Sequence, residues 1–278
     1  MIHYLLPASL DTLAARGMMS GDTRPVAASE MPFVISFIIP AHNEEALIGR
    51  TLAALHEAAR ALGEAYEIVV ADDASTDRTG DIAREQGARA VAINGRQIAA
   101  ARNAGARAAS GELFFFVDAD TVVNRRVVRA AVRVLRNGAV GGGCTVHLDG
   151  RLPLYAVVLQ LLMLVFHVIR LAPGCFLFCT RKAYEAAGGF DEALHWGEEV
   201  AFGNRLKRLG RFVMLHEFVT TSARKLRAHS ALQLARVAVR LTLGGAEARR
   251  QGLEYWYGPR EPPEASDPPA NSQRATLE

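Results

Sequence analysis

Two carboxylates at the end of an apolar run are the first candidates for chemistry in this sequence. Leu113–Val117 is a continuous run of β-favouring residues, and it stops at Asp118-Ala119-Asp120. The run predicts a strand buried on both faces. In an open α/β sheet, ligands bind at the carboxyl ends of the strands. An acidic pair there suits a hard divalent cation that is held by one or two carboxylates and by substrate phosphates. Two solvated loop acids are the alternative interpretation.

A second acidic pair, Glu198-Glu199, comes just before a segment whose apolar stripe predicts a helix. The positive end of a helix dipole favours ionised carboxylates, and an ionised carboxylate is what a general base requires. The pair could instead only complement the dipole. His216, which follows a predicted strand at Arg211–Leu215, is more typical of a structural histidine than of a metal ligand.

Alternating strands and helices must position these acids. Apolar runs predict strands at 33–39, 67–71, 90–93 and 113–117, with helical segments between them. This order favours an α/β fold with a mostly parallel sheet and crossover helices.

The ends of the first two predicted strands carry acids as well. Pro40 ends the first strand, because proline cannot donate to a sheet ladder, and Asn43 then suits the cap of the next helix. No glycine-rich dinucleotide fingerprint and no phosphate-binding loop follows. A nucleotide bound here would therefore be held by side chains and a metal ion.

Four short motifs, in this order and at this spacing, resemble the family-two glycosyltransferases with a GT-A fold. They are Pro40–Glu45, Val70–Asp77, Ala101–Gly105 and Asp118–Asp120. Two later motifs continue the resemblance, which covers roughly residues 33–221: Gly188–Glu192 and Gly197–Glu199.

The resemblance implies a single GT-A-like α/β domain with a mostly parallel central sheet flanked by helices and a C-terminal helical extension. We expect four regions in all. They are a loose N-terminal extension at 1–32, the glycosyltransferase domain at 33–221, a basic amphipathic helical extension at 222–257 and a disordered tail at 258–278.

For the nucleoside part of a donor, the resemblance implies contacts from Pro40, Ala41 and Glu44. Either Asp72 or Asp73 would accept a hydrogen bond from the base, as the N3 group of uracil could donate one.

For the rest of the donor, the resemblance places Arg102 near the base or the diphosphate. It places Asp118 near the ribose and Asp120 on the metal, Mg2+ or Mn2+.

The implied reaction moves a sugar from a nucleotide-diphosphate sugar, most simply a UDP-sugar, to an acceptor hydroxyl with inversion. The family usually carries Glu-Asp at the base position, whereas this chain carries Glu198-Glu199. Glu199 is aligned with the usual base, and the longer side chain leaves open which of the two reaches the acceptor.

Two other functions compete with this interpretation. A nucleotidyltransferase would usually show a glycine-rich, basic loop after the first strand, and residues 40–45 show none. A non-catalytic, membrane-associated nucleotide-sugar-binding protein is favoured only by glutamate in place of aspartate at Glu199.

Composition sets broad limits on partners and location. The chain has 278 residues and a formal net charge of +3, which is too small to indicate nucleic acid binding. Its three cysteines lie in apolar surroundings and predict buried, reduced thiols, as in a reducing cytoplasm. Residues 1–30 show no evident secretory signal. A cytoplasmic protein is expected.

Two segments could meet a membrane. Leu152–Ile169 has no formal charge and is long enough for a span. A single crossing would place Asp120 and Glu199 on opposite sides, so a buried or interfacial helix is preferred. Ser230–Arg250 predicts a basic amphipathic helix that suits an anionic membrane surface or a partner protein. Peripheral attachment at the inner face of the membrane, and a lipid-linked acceptor, would fit these segments.

Overall fold

The computed structural model describes residues 34–149, 172–194 and 197–224. The expected N-terminal extension, the segment Leu152–Ile169, the helix predicted at Ser230–Arg250 and the C-terminal tail lie outside these ranges. Within them, no helix combines the length and the apolar character that a membrane crossing requires.

The described residues form one eight-stranded sheet. Four neighbouring strands, in the order β3-β2-β1-β4, are parallel; β7 is antiparallel to β4, and β6 and β8 run parallel to the first four. The short edge strand β5 is antiparallel to β8. The strands are β1 (Ile35–Ala41), β2 (Tyr66–Asp73), β3 (Arg89–Ile93), β4 (Leu113–Val117), β5 (Thr121–Val122), β6 (Gly141–Leu148), β7 (Phe176–Thr180) and β8 (Phe212–Thr221).

Helices cover both faces of this sheet. In chain order they are α1 (Ile48–Arg60), α2 (Thr79–Glu85), α3 (Ile98–Ala108), α4 (Arg125–Arg136), α5 (Arg181–Ala186) and α6 (Glu198–Leu209). The alternation of strands and helices confirms the expected single α/β domain with a mostly parallel central sheet.

The period-two alternation of the strands divides the core into two layers. Phe37 and Phe115 belong to a cluster with the apolar sides of α1 and α4. Ile38, Phe114 and Phe116 belong to a second cluster with α3, α5 and α6. Because successive strand residues face opposite sides of a sheet, a strand covered on both faces must be apolar throughout, as Leu113–Val117 is.

The structure corrects two local predictions. Asn43 does not cap the next helix, because α1 begins at Ile48 with Leu47 at its N-cap. The last strand is longer than Arg211–Leu215: β8 continues to Thr221, past a register shift of its pairing with β6. His216 and Glu217 occupy that irregularity, so these polar residues interrupt the strand pattern without ending the strand.

The glycine triplet at the start of β6 is required by close packing within the sheet. A Cβ atom on Gly142 would lie 2.0 Å from the carbonyl oxygen of Val213 and 2.5 Å from the Phe178 ring. Real Cβ atoms do not make such contacts, and a strand carbonyl cannot move aside. The strands on either side of β6 therefore use the space that a side chain would occupy.

We predict that Gly142→Ala lowers the free energy of unfolding by about 3 kcal/mol, the upper range of overpacking costs. Gly203→Ala is the matched control, because its Cβ would meet nothing closer than the Phe212 ring at 3.8 Å. In the interior of α6 the control should raise stability by about 0.5–1 kcal/mol. Urea denaturation measures both, and equal effects would contradict the packing argument.

Candidate active site

The carboxyl ends of β1, β2 and β4 meet at one edge of the sheet. Ala41 pairs in register with Asp72, and β4 lies on the other side of β1. The Thr51 hydroxyl of α1 donates to the carbonyl of Ala119, at 2.8 Å, and so fixes the turn that carries Asp118 and Asp120. The motifs that are distant in sequence are thereby brought to a single edge.

The loop after β1 is joined to the loop after β2. The His42 ring nitrogen Nδ1 lies 2.6 Å from the carbonyl oxygen of Asp73. The backbone amide of Asn43 donates to Ser75, and its side-chain oxygen accepts from the Thr76 amide. Asn43 has a positive φ of 50°, which asparagine tolerates well. These bonds account for the sequence Ala-His-Asn at a point where a helix cap was predicted.

The two neighbouring acids of β2 have different surroundings. Asp73 is 1% exposed, and its carboxylate accepts from the backbone amides of Gly95, Arg96 and Gln97 at 2.8–2.9 Å. It fixes the turn that leads into α3. Asp72 remains partly exposed at the sheet edge and accepts from the Ser75 amide at 3.3 Å. Of the two, Asp72 is the more exposed.

Glu44 is paired with a residue from the far end of the described chain. Its carboxylate accepts from the Arg224 guanidinium at 2.7 Å, and the two side chains are 6% and 9% exposed. Ser222, two residues before Arg224, donates its backbone amide to the carbonyl of Asp120 at 3.3 Å. Residues 221–224 thus run from Asp120 to the loop after β1.

Arg102 is a charged residue of the site that is almost completely buried. Its guanidinium donates to Glu198 at 2.7 Å, to Asp118 at 3.1 Å and to the carbonyl of Gly174 at 3.0 Å. It also lies 5.2 Å from the centre of the Phe190 ring, a cation–π distance. Although burial opposes its charge, these carboxylates raise the pKa of Arg102. The resemblance placed it near the base or diphosphate, whereas here its bonds are made to protein groups.

Glu199 stands beside this ion pair. Gly174 lies against it, since a Cβ on Gly174 would come 3.2 Å from the Glu199 side chain and 3.2 Å from Arg102. Burial and, next, the charge of Glu198 raise the pKa of Glu199 to about 7, while Arg102 acts in the opposite direction. A carboxylate with this pKa can both accept and release a proton near neutral pH.

Asp120 is the residue that the resemblance predicts to be a metal ligand. Its Oδ1 accepts from the Thr221 hydroxyl at 3.2 Å, and its side chain is partly exposed. Among the described residues, no three His, Cys, Asp or Glu side chains come together as a metal cage. This donor set fits a cation of the Mg2+ or Mn2+ type that takes one or two carboxylates from protein and the other oxygens from substrate phosphates and water.

Sequence reasoning missed the part played by Asn103. Its amide donates to the carbonyl of Phe190 and to Glu192, and its oxygen accepts from the Phe190 amide and the Tyr184 hydroxyl. The buried amide thereby holds the turn at 188–192 against α3. One signal was present in the sequence, because asparagine is a poor helix former in an alanine-rich helix interior.

The three cysteines are free and buried, as predicted. Burial raises the pKa of each thiol, so none is a reactive thiolate.

Comparison with known proteins shows that part of the chain is similar to a family. The model of glycosyl transferase family 2 matches residues 36–167, just under half of the chain. A validoxylamine A glucosyltransferase of Streptomyces hygroscopicus subsp. jinggangensis is 37% identical over 139 residues, which are 46% of this chain and 32% of the relative. An undecaprenyl-phosphate 4-deoxy-4-formamido-L-arabinose transferase of Pseudomonas paraeruginosa is 38% identical over 95 residues, 31% of this chain and 28% of the relative. The chain thus spans about a third or less of these relatives.

Solved structures share the fold. Glucosyl-3-phosphoglycerate synthase from Mycobacterium tuberculosis, crystallised with Mn2+, UDP and glucosyl-3-phosphoglycerate, superposes with a TM-score of 0.51 and 20% identity. The match covers 81% of this chain and 78% of the synthase. At this identity the likeness concerns the fold. The described domain has a GT-A-like fold, and residues 36–167 are similar to glycosyl transferase family 2.

Proposed function

We propose that this protein transfers a sugar from a nucleoside-diphosphate sugar to an acceptor hydroxyl, with Glu199 as the general base. One observation carries the proposal. The buried guanidinium of Arg102 joins Asp118 to Glu198, so that the acids after β4 and the acids at the start of α6 belong to one site. These residues are 80 positions apart in sequence, and the similarity of residues 36–167 to glycosyl transferase family 2 supports the reaction class.

The donor would lie over the carboxyl ends of β1, β2 and β4. Asp72 would accept a hydrogen bond from the base, and Pro40 and Ala41 would offer the end of β1 as a surface beside it. Asp118 would approach the ribose from its place next to Arg102. UDP is the first nucleotide to test, because uracil N3 is a donor and Asp72 an acceptor.

Asp120 would hold a divalent cation, Mg2+ or Mn2+, together with the donor phosphates. When bound, such a cation neutralises charge on the diphosphate leaving group. The manganese in the synthase structure supports this assignment. The protein's own part is to hold the Asp120 carboxylate through the Thr221 hydroxyl and the turn fixed by Thr51.

In the transfer step, the acceptor oxygen forms a bond to the anomeric carbon as the bond from that carbon to the diphosphate oxygen breaks. Glu199 takes the proton of the acceptor hydroxyl. In-line attack would invert the anomeric centre. Glu198 accepts a hydrogen bond from Arg102 and orients the start of α6.

The proposal extends to the acceptor and the location. The undecaprenyl-phosphate substrate in the name of one relative supports a lipid-linked acceptor. A protein that serves such an acceptor with a cytoplasmic nucleotide sugar would lie in the cytoplasm, attached peripherally to the inner face of the membrane.

The decisive experiment is to incubate the protein with a panel of nucleotide sugars and to measure the release of free nucleoside diphosphate, with and without Mg2+ or Mn2+. Metal-dependent release of UDP or another diphosphate supports transfer. Release of pyrophosphate from a nucleotide triphosphate and a sugar phosphate would indicate a nucleotidyltransferase. Donor binding without any release would indicate a non-catalytic binding protein.

Removal of the metal carboxylate should separate donor binding from folding. We predict that Asp120→Asn loses metal-dependent binding of UDP, with affinity at least about tenfold weaker, while the melting temperature stays near that of the wild type. Calorimetric titration of UDP with and without Mn2+ measures this. Asp81→Asn, an exposed acid of α2 paired with Arg84, is the control. Unchanged affinity and metal response in Asp120→Asn would exclude the assignment.

Removal of the base should separate transfer from binding. Glu199→Gln preserves size and hydrogen bonding but cannot take a proton. We predict that transfer falls by about a hundredfold or more, the usual scale of a general-base contribution, while UDP affinity is retained. Single-turnover assays and calorimetry measure the two properties.

Glu198→Gln is the matched control, and its effect should have a different character. It weakens the buried pair with Arg102, so we expect a loss of roughly 1–3 kcal/mol in stability and a smaller loss of transfer. If transfer persists in Glu199→Gln and disappears in folded Glu198→Gln, the two roles are exchanged.

The raised pKa of Glu199 predicts a pH dependence. The base must be ionised, so kcat/KM should rise with pH up to about 7 and then level off. The folded-state pKa lies above the unfolded value, so ionising Glu199 costs stability as pH rises between the two. Glu199→Gln should accordingly melt higher than the wild type above pH 7 and similarly near pH 4. An acid limb centred well below pH 6 would argue against Glu199 as the base.

A further inference from the structure

The outer face of α4 carries only arginine among its charged residues. Five arginines in the twelve residues of α4 are exposed, and valine, alanine and leucine occupy the buried side. We call these residues the arginine face: Arg125, Arg126, Arg129, Arg133 and Arg136. At 1.5 Å rise per residue, they extend over roughly 16 Å along one side of the helix.

Few acidic side chains of the protein neutralise the positive charge of this face. Arg136 pairs with Glu64 at 2.6 Å. Within the described ranges, the side chains of the other four arginines have no acidic or hydrogen-bonding partner. The sequence contains no Asp or Glu between Asp120 and Asp149, so α4 cannot pair its arginines along the helix.

The arginines on and beside α2, in contrast, are paired with acids. On α2, Arg84 pairs with Asp81 and the adjoining Arg78 pairs with Glu85, both at 2.9 Å. On α4, like charges stand four residues apart, which disfavours a helix. Two of them, Arg125 and Arg126, occupy the first turn, where the helix dipole already repels cations. The local electrostatics are therefore unfavourable unless an anionic surface meets this face.

We infer that the arginine face of α4 is a docking surface for an anionic membrane. Guanidinium groups bind phosphate oxygens through several parallel N–H donors, and a row on a straight helix can meet many headgroups at once. The face offers no aromatic side chain for base stacking, so lipid phosphates fit it better than single-stranded nucleic acid. Among described residues, the large apolar side chains exposed at the surface are Leu209 and Phe218, neither of them on α4.

The arginine face of α4 begins near the proposed donor site. Arg125 comes five residues after Asp120, so the row begins next to the proposed donor site and runs away from it. A membrane held against this flank would present phosphate-bearing lipids near the carboxyl edge of the sheet. The docking inference itself needs no transfer activity, and it can hold or fail independently of the proposed function.

The test is co-sedimentation of the full chain with vesicles. Vesicles of phosphatidylcholine with about one third phosphatidylglycerol carry a negative surface, and pure phosphatidylcholine vesicles are the neutral probe. The variant replaces Arg125, Arg126, Arg129 and Arg133 by Gln. A matched control replaces four exposed arginines elsewhere by Gln and so loses the same net charge. They are Arg60, Arg78, Arg84 and Arg208. A third variant carries Lys at the four α4 positions.

We expect the wild type to bind the anionic vesicles, to dissociate from them at high salt and not to bind the neutral vesicles. Each arginine near the surface contributes about fivefold to partitioning, so the α4 variant should lose a hundredfold or more. The control and the Lys variant should retain most of the binding. The melting temperature of the α4 variant should not fall, since it removes like-charge repulsion.

Three results would overturn the inference. The first is equal loss of binding in the α4 variant and the control, which would indicate diffuse charge. The second is unchanged binding in the α4 variant. The third is wild-type binding to DNA at matched salt without binding to anionic vesicles.

Discussion

The contact between the Arg102 guanidinium and its carboxylates is the interaction on which the organisation of this site depends. A buried arginine is tolerable only when its charge and its donors are met. Here Asp118, which follows β4, and Glu198, which begins α6, meet the charge and the two terminal nitrogens, whereas Nε has no hydrogen-bond partner among the described residues. The same contact leaves Glu199 in a position where burial and the charge of Glu198 favour its protonated form. One ion pair thus connects the two acidic segments, and its Glu198 adds to the burial that raises the pKa of Glu199.

The other acids of the site differ in whether their carboxylates are bonded within the protein or remain partly exposed. The carboxylate of Asp73 accepts hydrogen bonds from three backbone amides before α3. Asp77 accepts from the amides of Thr79 and Glu45, and Glu44 is paired with Arg224. Asp72 and Asp120 remain partly exposed. The distinction matters because identical side chains in adjacent positions, such as Asp72 and Asp73, differ in role only through the groups around them.

The fold explains why such a site can be built at all. Parallel strands bring their carboxyl ends to one edge, and the helices that return the chain cover both faces. The core is tightly fitted: Gly105 packs so closely on Ile38, and Gly142 so closely on Val213, that a Cβ on either would collide. That rigidity holds the turns after the strands within hydrogen-bond distance of each other. The exposed arginines of α4 take no part in this arrangement. We therefore assign them to contact with an anionic membrane.

The sequence by itself determined the element order, the α/β class and the positions of most motifs. Apolar runs mark the strands, because strands covered on both faces are mostly apolar, and these predictions were confirmed at β1, β2, β3 and β4. The sequence also set apart Asp118, Asp120, Glu198 and Glu199 as candidates. It could not decide between Asp72 and Asp73, and it misplaced the role of Asn43. Only the tertiary structure joined Arg102 to Glu198 and Glu44 to Arg224, which are 96 and 180 residues apart. Such pairings depend on how distant segments pack, and local propensity carries no information about them.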